Sequence, residues 1–162
     1  MSTSQELVGN VDLAPTFLAI AGVSPTAPMD GKSMLPLLTR GCAPRAADGP
    51  RDTGVWRSEF PIEYFPVSDW PRSMPPKKRL DDSPNNSFRA LRIVNTTHSM
   101  LFSEHTQLSD WEFEAPYLHQ LFDLRDDPAQ MTNLFDKIPG AEQARLRRRL
   151  ESVWQCEGST CL

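Results

Sequence analysis

Between Asp12 and Gly22 the chain spells a helix bounded at both ends, and this short run constrains the fold more than any bulk property does. Asp12 precedes Leu13 as an N-cap should, and Pro15 falls in the first turn, where its missing N–H removes no intrahelical bond. Ala14, Phe17, Leu18 and Ala21 recur at helical spacing and predict one apolar stripe that seeks burial. Gly22 suits the left-handed position after the last turn, and Pro25 and Pro28 stop the helix from continuing. Any fold this chain adopts must offer that stripe a surface or leave it in water.

The rest reads as short ordered segments separated by breaks. Fifteen prolines against eight glycines imply stiff connections rather than a repeat or an idealised bundle. From Val55 to Phe65 large apolar and polar residues alternate as in a strand, and Pro61 makes it an edge or bulged strand. Residues 66–84, with further prolines, Lys77-Lys78-Arg79 and Asp81-Asp82, read as a solvated loop. Phe88–Val94 and Ser99–Ser103 predict a hairpin turned by Asn95-Thr96-Thr97-His98, and Leu121–Leu124 adds a third strand before the turn Arg125-Asp126-Asp127-Pro128. From Ala141 to about Trp154, Leu146, Leu150, Val153 and Trp154 fall on one helix face. The expected class is α+β, with a small antiparallel sheet packed by a C-terminal helix.

Charge and side-chain chemistry narrow the function. Arg145, Arg147, Arg148 and Arg149 flank the buried Leu146 and Leu150, so they are expected to form an exposed edge paired with Glu142 and Glu151. With no nucleic-acid module signature, neither they nor Lys77-Lys78-Arg79 imply a nucleic-acid partner. No apolar run approaches the roughly 20 residues of a membrane span, and Met1–Glu6 has no secretory pattern, so neither a span nor a targeting signal is expected in this chain. His98, His105 and His119 lack the spacing of a zinc helix, and no metal site is expected. Cys156 and Cys161 are close enough in a Gly-Ser-Thr loop to form a disulfide, with two reduced thiols as the alternative in a cytosolic chain. Asn85-Asn86-Ser87 and Asn95-Thr96-Thr97 are N-glycosylation acceptor motifs on a predicted loop and turn.

The run from Val8 to Gly22, followed by Met29-Asp30-Gly31-Lys32-Ser33-Met34-Leu35-Pro36-Leu37-Leu38, resembles the segment that follows the catalytic sheet in the sulfatase family. Gln120 to Leu134 is similar to the family's later pattern E-L-Y-D-L-x-x-D-P-x-E-x-x-N-L. Trp56-Arg57-Ser58-Glu59 with Glu63-Tyr64, then Asn85-Asn86-Ser87-Phe88, and finally Cys156 to Cys161 resemble the N-acetylglucosamine-6-sulfatase branch. The resemblance implies a sulfuric ester hydrolase with an alkaline-phosphatase-like α/β sheet, lysosomal or secreted. It would act on sulfated sugars such as N-acetylglucosamine 6-sulfate in glycosaminoglycans. Its chemistry would use a formylglycine made from cysteine and a calcium ion held by Asp and Asn.

The resemblance also implies a partition and a set of sites. Residues 1–40 would be the tail of the catalytic α/β domain, 41–84 a Pro-rich connection with an edge strand near 54–65, and 85–162 the sheet-plus-helix subdomain. Cys42-Ala43-Pro44-Arg45 imitates the family's C-x-P-S/A-x-R string, but Arg45 follows Pro44 directly and no Asp/Asn cluster precedes it. No catalytic residue, formylglycine or calcium ligand is therefore expected in this chain. His105, Trp111 and Glu114 are the candidates for rimming a substrate cleft. The expectation is a sulfatase C-terminal region lacking the nucleophile, with a non-catalytic, sulfatase-derived carbohydrate-binding or interaction protein as the alternative. The stripe of helix 12–22 belongs by resemblance against the catalytic domain, so in this chain it is expected to be exposed and prone to self-association.

Overall fold

The computed structural model describes residues 6–39, 56–65, 87–106 and 113–161. They fall into two compact units, Met1–Ser58 with Ser152–Leu162, and Glu59–Glu151. Cys42, the Lys77-Lys78-Arg79 cluster, Asn85 and Trp111 lie outside the described residues.

In the first unit a 3-10 turn, Asn10–Asp12, leads into helix α1, Leu13–Ala21, and a one-turn helix α2 spans Leu35–Leu38. Gly22 ends α1 in the left-handed region (φ 68°), its N–H reaching the carbonyls of Leu18 and Ala19, as the sequence predicts. The start differs from expectation. Asp12 makes no side-chain cap bond to α1, because its carboxylate is engaged elsewhere. The buried residues of α1 are Pro15 and Thr16, whereas Phe17 and Ile20 are 63% and 61% exposed. Thr16 explains this orientation: its hydroxyl donates to the Asp12 carbonyl and accepts the Met34 N–H, tying the polar edge of the helix to the loop that precedes α2.

The second unit is a four-stranded antiparallel sheet in the order β1-β2-β3-β4. Its strands are β1, Glu59–Tyr64; β2, Ser87–Val94; β3, Ser99–Thr106; and β4, Leu118–Asp123. Pro61 sits in the edge strand, where its missing donor is tolerated. Both β3 and β4 are longer than the apolar pattern predicts, because polar residues (Glu104, His105, His119, Gln120) carry the extra pairing. Alternation puts Leu91, Phe102 and Leu121 in one cross-strand row. All three are fully buried, and Phe135 stacks on Phe102 with ring centroids 5.7 Å apart. Helix α3, Gly140–Trp154, buries Leu146 and Leu150 and reaches this face of the sheet through Arg147 and Arg149.

The segment after β4 explains why its sequence pattern is so specific. The Asp127 carboxylate accepts the N–H groups of Met131 and Thr132. Asn133 accepts from the N–H groups of Leu121 and Phe135 and donates to the His119 carbonyl, stitching the chain to β4. Here an Asp and an Asn are staples of a turn, each replacing backbone partners that the turn has lost.

Candidate functional site

Three polar constellations stand out among the described residues. The first centres on Asp12, which is completely buried. Its oxygens accept the N–H groups of Gly9 and Lys32, each at 2.8 Å, and the Arg57 guanidinium at 2.6 Å. The neighbouring Trp56 donates its indole N–H to the Leu7 carbonyl at 2.6 Å, with Lys32 and Arg57 over its ring. Three stretches far apart in sequence, around residues 7–12, 31–34 and 56–57, are thus joined by one carboxylate. Gly31 makes the approach possible, since a Cβ on it would lie 1.9 Å from the Val11 carbonyl oxygen.

The second centres on Glu104, also fully buried. Arg89 donates two hydrogen bonds to one of its oxygens, at 3.0 and 2.8 Å, and Arg147 of α3 donates to the other at 3.0 Å. Arg89 also lies over the Phe113 ring and 3.7 Å from Glu151. These contacts correct the expected edge of α3: Arg145 does pair with Glu142, but Arg147 and Arg149 reach across to Glu104 and Glu59 of the sheet. A carboxylate without exposure draws the long, snorkelling arginines inward. The hairpin register pairs Arg89 with Glu104, so extending the predicted hairpin past Ser103 would have revealed this ion pair from sequence.

The third lies on the opposite face of the same sheet. Tyr64, Phe88, His105 and Leu118 form one cross-strand row, with Tyr64 stacked on Phe88 (5.6 Å) and Phe88 tilted against His105 (5.5 Å). The next row contains Ser103 and Gln120, both within hydrogen-bond reach of His105 Nε2 at 3.1 and 3.0 Å. When Nε2 carries the proton, it donates to Gln120 and leaves Nδ1 as an acceptor. Burial pushes the His105 pKa down, opposed by the Gln120 hydrogen bond, which favours the neutral ring. A neutral, half-buried imidazole in a row with two aromatic rings offers a hydrogen-bonding group beside an apolar surface and no positive charge for an anion. Of the other two rim candidates, Glu114 is exposed and Trp111 lies outside the described residues.

His105 and His119 give this unit a pH dependence of defined sign. His119 stacks on Phe135 at 4.7 Å, and its buried Nε2 lies 3.4 Å from Glu104 without hydrogen-bond geometry. Its pKa is also lowered, first by burial and then by Arg147, against the pull of Glu104 and Asp136. Both imidazoles are therefore depressed, so the unfolded chain binds their protons first, and stability present above about pH 6.5 is lost as the pH falls below it. Melting temperature followed by circular dichroism from pH 8 to 5 should fall, and the His105→Gln/His119→Gln variant should flatten that slope.

The buried carboxylates do not suit calcium. Asp12 and Glu104 face N–H groups and guanidinium cations, which compete with a hard cation for the same oxygens. No group of three or more His, Cys, Asp or Glu side chains among the described residues is placed to hold a metal ion. Cys156 and Cys161 are joined as a disulfide, so neither is a thiol from which formylglycine could be made. No helix among the described residues is long and apolar enough to cross a membrane.

The family described as N-sulphoglucosamine sulphohydrolase, C-terminal, matches residues 1–66, which hold α1, α2 and the Asp12 constellation. Together with the relatives that follow, this match supports a sulfatase C-terminal region. Over 98% of its length the chain is 30% identical to human N-acetylglucosamine-6-sulfatase, of which it spans 28%. It is 27% identical over 94% of its length to an arylsulfatase of Chlamydomonas reinhardtii, spanning 22% of that protein. With the N-acetylglucosamine-6-O-sulfatase of Bacteroides thetaiotaomicron it shares 27% identity over 92% of its length, spanning 21%.

Proposed function

We propose that this chain is the C-terminal part of a lysosomal or secreted sulfuric ester hydrolase that removes sulfate from sulfated sugars such as N-acetylglucosamine 6-sulfate. Its α1 face seats against an alkaline-phosphatase-like α/β domain that carries the nucleophile and calcium. The observation that carries this reading is the bare apolar face of α1. Leu13, Phe17 and Ile20, with nearby Val8, Val11 and Val23, are exposed in a segment that matches a sulfatase family. A patch of this kind marks an interaction surface, and in the chain by itself it favours self-association. The His105 row, with Trp111 and Glu114, is the part offered to the sugar, through ring stacking and hydroxyl contacts rather than through sulfate.

The transcript upstream of the Met1 codon provides the test. An open frame encoding a C-x-P-S/A-x-R string is expected, and its full product should hydrolyse N-acetylglucosamine 6-sulfate. In that product Phe17→Glu should abolish folding or turnover by charging the seat of α1, while His105→Ala should raise KM with a smaller effect on kcat. An in-frame stop directly before Met1 would overturn the reading. So would turnover by the present chain that disappears in Cys42→Ser.

A further inference from the structure

We propose that Asn95 is an N-glycan acceptor, an inference independent of the substrate reading. Asn95-Thr96-Thr97 forms the tip of the β2–β3 hairpin, and Asn95, Thr96, Thr97 and His98 are all exposed. An acceptor motif in this setting meets the two physical requirements of the modification, a turn at the surface and room for a bulky polar group.

The geometry divides the Asn95 amide. Its oxygen accepts the N–H groups of Thr97 and His98 and the hydroxyl of Thr97, the third residue of the motif itself. The amide nitrogen, the atom that would carry the sugar, makes no hydrogen bond among the described residues. Arg125 fixes the turn from below by donating to the carbonyls of Asn95, Thr96 and Thr97. Attachment at Nδ2 would therefore cost no contact that the fold uses.

A separate observation concerns the compartment. Cys156 and Cys161 form a disulfide, and such bonds persist where the oligosaccharide-transfer machinery also works. In the reaction Nδ2 attacks C1 of the proximal sugar of a polyisoprenyl-pyrophosphate oligosaccharide. The new C–N bond forms as the C1–O bond to pyrophosphate breaks, the amide loses one proton, and the polyisoprenyl pyrophosphate leaves. The glycan would also leave the candidate sugar face open: Asn95 is seven residues along β2 from Phe88, about 23 Å at roughly 3.3 Å per residue.

The test is site mapping on the full chain, produced through a eukaryotic secretory pathway behind a cleavable signal. Release with peptide N-glycosidase in heavy-oxygen water should convert residue 95 to labelled Asp. The label should vanish in Asn95→Gln and in Thr97→Ala, and persist in Thr97→Ser. Transfer accompanies synthesis, so the stability of a variant does not decide its outcome. An unmodified Asn95 in the wild-type chain, or label confined to Asn85, would overturn the proposal.

Discussion

Replacing Glu104 by Leu is expected to cost the sheet-and-helix unit about 3–5 kcal/mol, because it removes one partner of a buried ion pair. Arg89 is 8% exposed and donates two bonds to Glu104, whereas the Glu151 carboxylate is 3.7 Å away and more than half exposed. Arg147 is about half exposed and can turn back to water. The damage should therefore come from Arg89 alone. A second substitution distinguishes this account from simple misfit. In Glu104→Leu/Arg89→Met most of the lost stability should return, since two apolar side chains of similar volume replace a desolvated ion pair. Urea unfolding followed by circular dichroism measures both variants. A double variant as unstable as the single one would show that Arg89 is not the origin of the loss.

That ion pair marks the boundary of what local pattern reveals. The hairpin, the edge position of β1 and helix α3 were legible because each rests on period and turn chemistry within a few residues. Glu104 and His105 looked like the end of β3 because strand patterns are read from alternating apolar residues, and here a buried carboxylate occupies an inward position. Its burial depends on Arg89, 15 residues earlier, and Arg147, 43 residues later. The arginines of α3 were misread for the same reason: Glu142 is one turn away, whereas Glu59 lies 90 residues distant in sequence. On the other face, His105 lies past the predicted strand end at Ser103, but it sits within β3, where Phe88 and Gln120 set its surroundings.

Helix α1 gives the complementary lesson. Its limits followed from Pro15 and Gly22, yet the residues it buries are those beside its polar edge. Asp12 and Thr16 face the loop at 32–34, because a carboxylate that collects two N–H groups and a guanidinium is worth more buried than as a cap. The apolar stripe is left for another surface. Sequence periodicity identifies such a stripe without naming its partner.

The Gly31→Ala substitution is expected to be the most damaging small change in the first unit, at or above the upper end of the roughly 1–3 kcal/mol typical of overpacking. The added Cβ would meet the Val11 carbonyl oxygen at 1.9 Å and its carbon at 2.5 Å. Both are backbone atoms, so no rotamer change relieves the contact. The chain must separate at the point where Lys32 N–H reaches Asp12, and loss of that bond leaves the buried Asp12 carboxylate one donor short. Two other glycines serve as controls because nothing lies within 4 Å of a Cβ built on either. Gly22→Ala should cost only the left-handed backbone penalty, about 1–2 kcal/mol. Gly140→Ala, at the start of α3, should be neutral or slightly stabilising. Thermal melts of the three variants should therefore rank Gly31→Ala lowest and Gly140→Ala highest. A Gly31→Ala chain that melts with or above Gly22→Ala would mean that the 30–34 loop does not press on Val11, and that Asp12 does not depend on it.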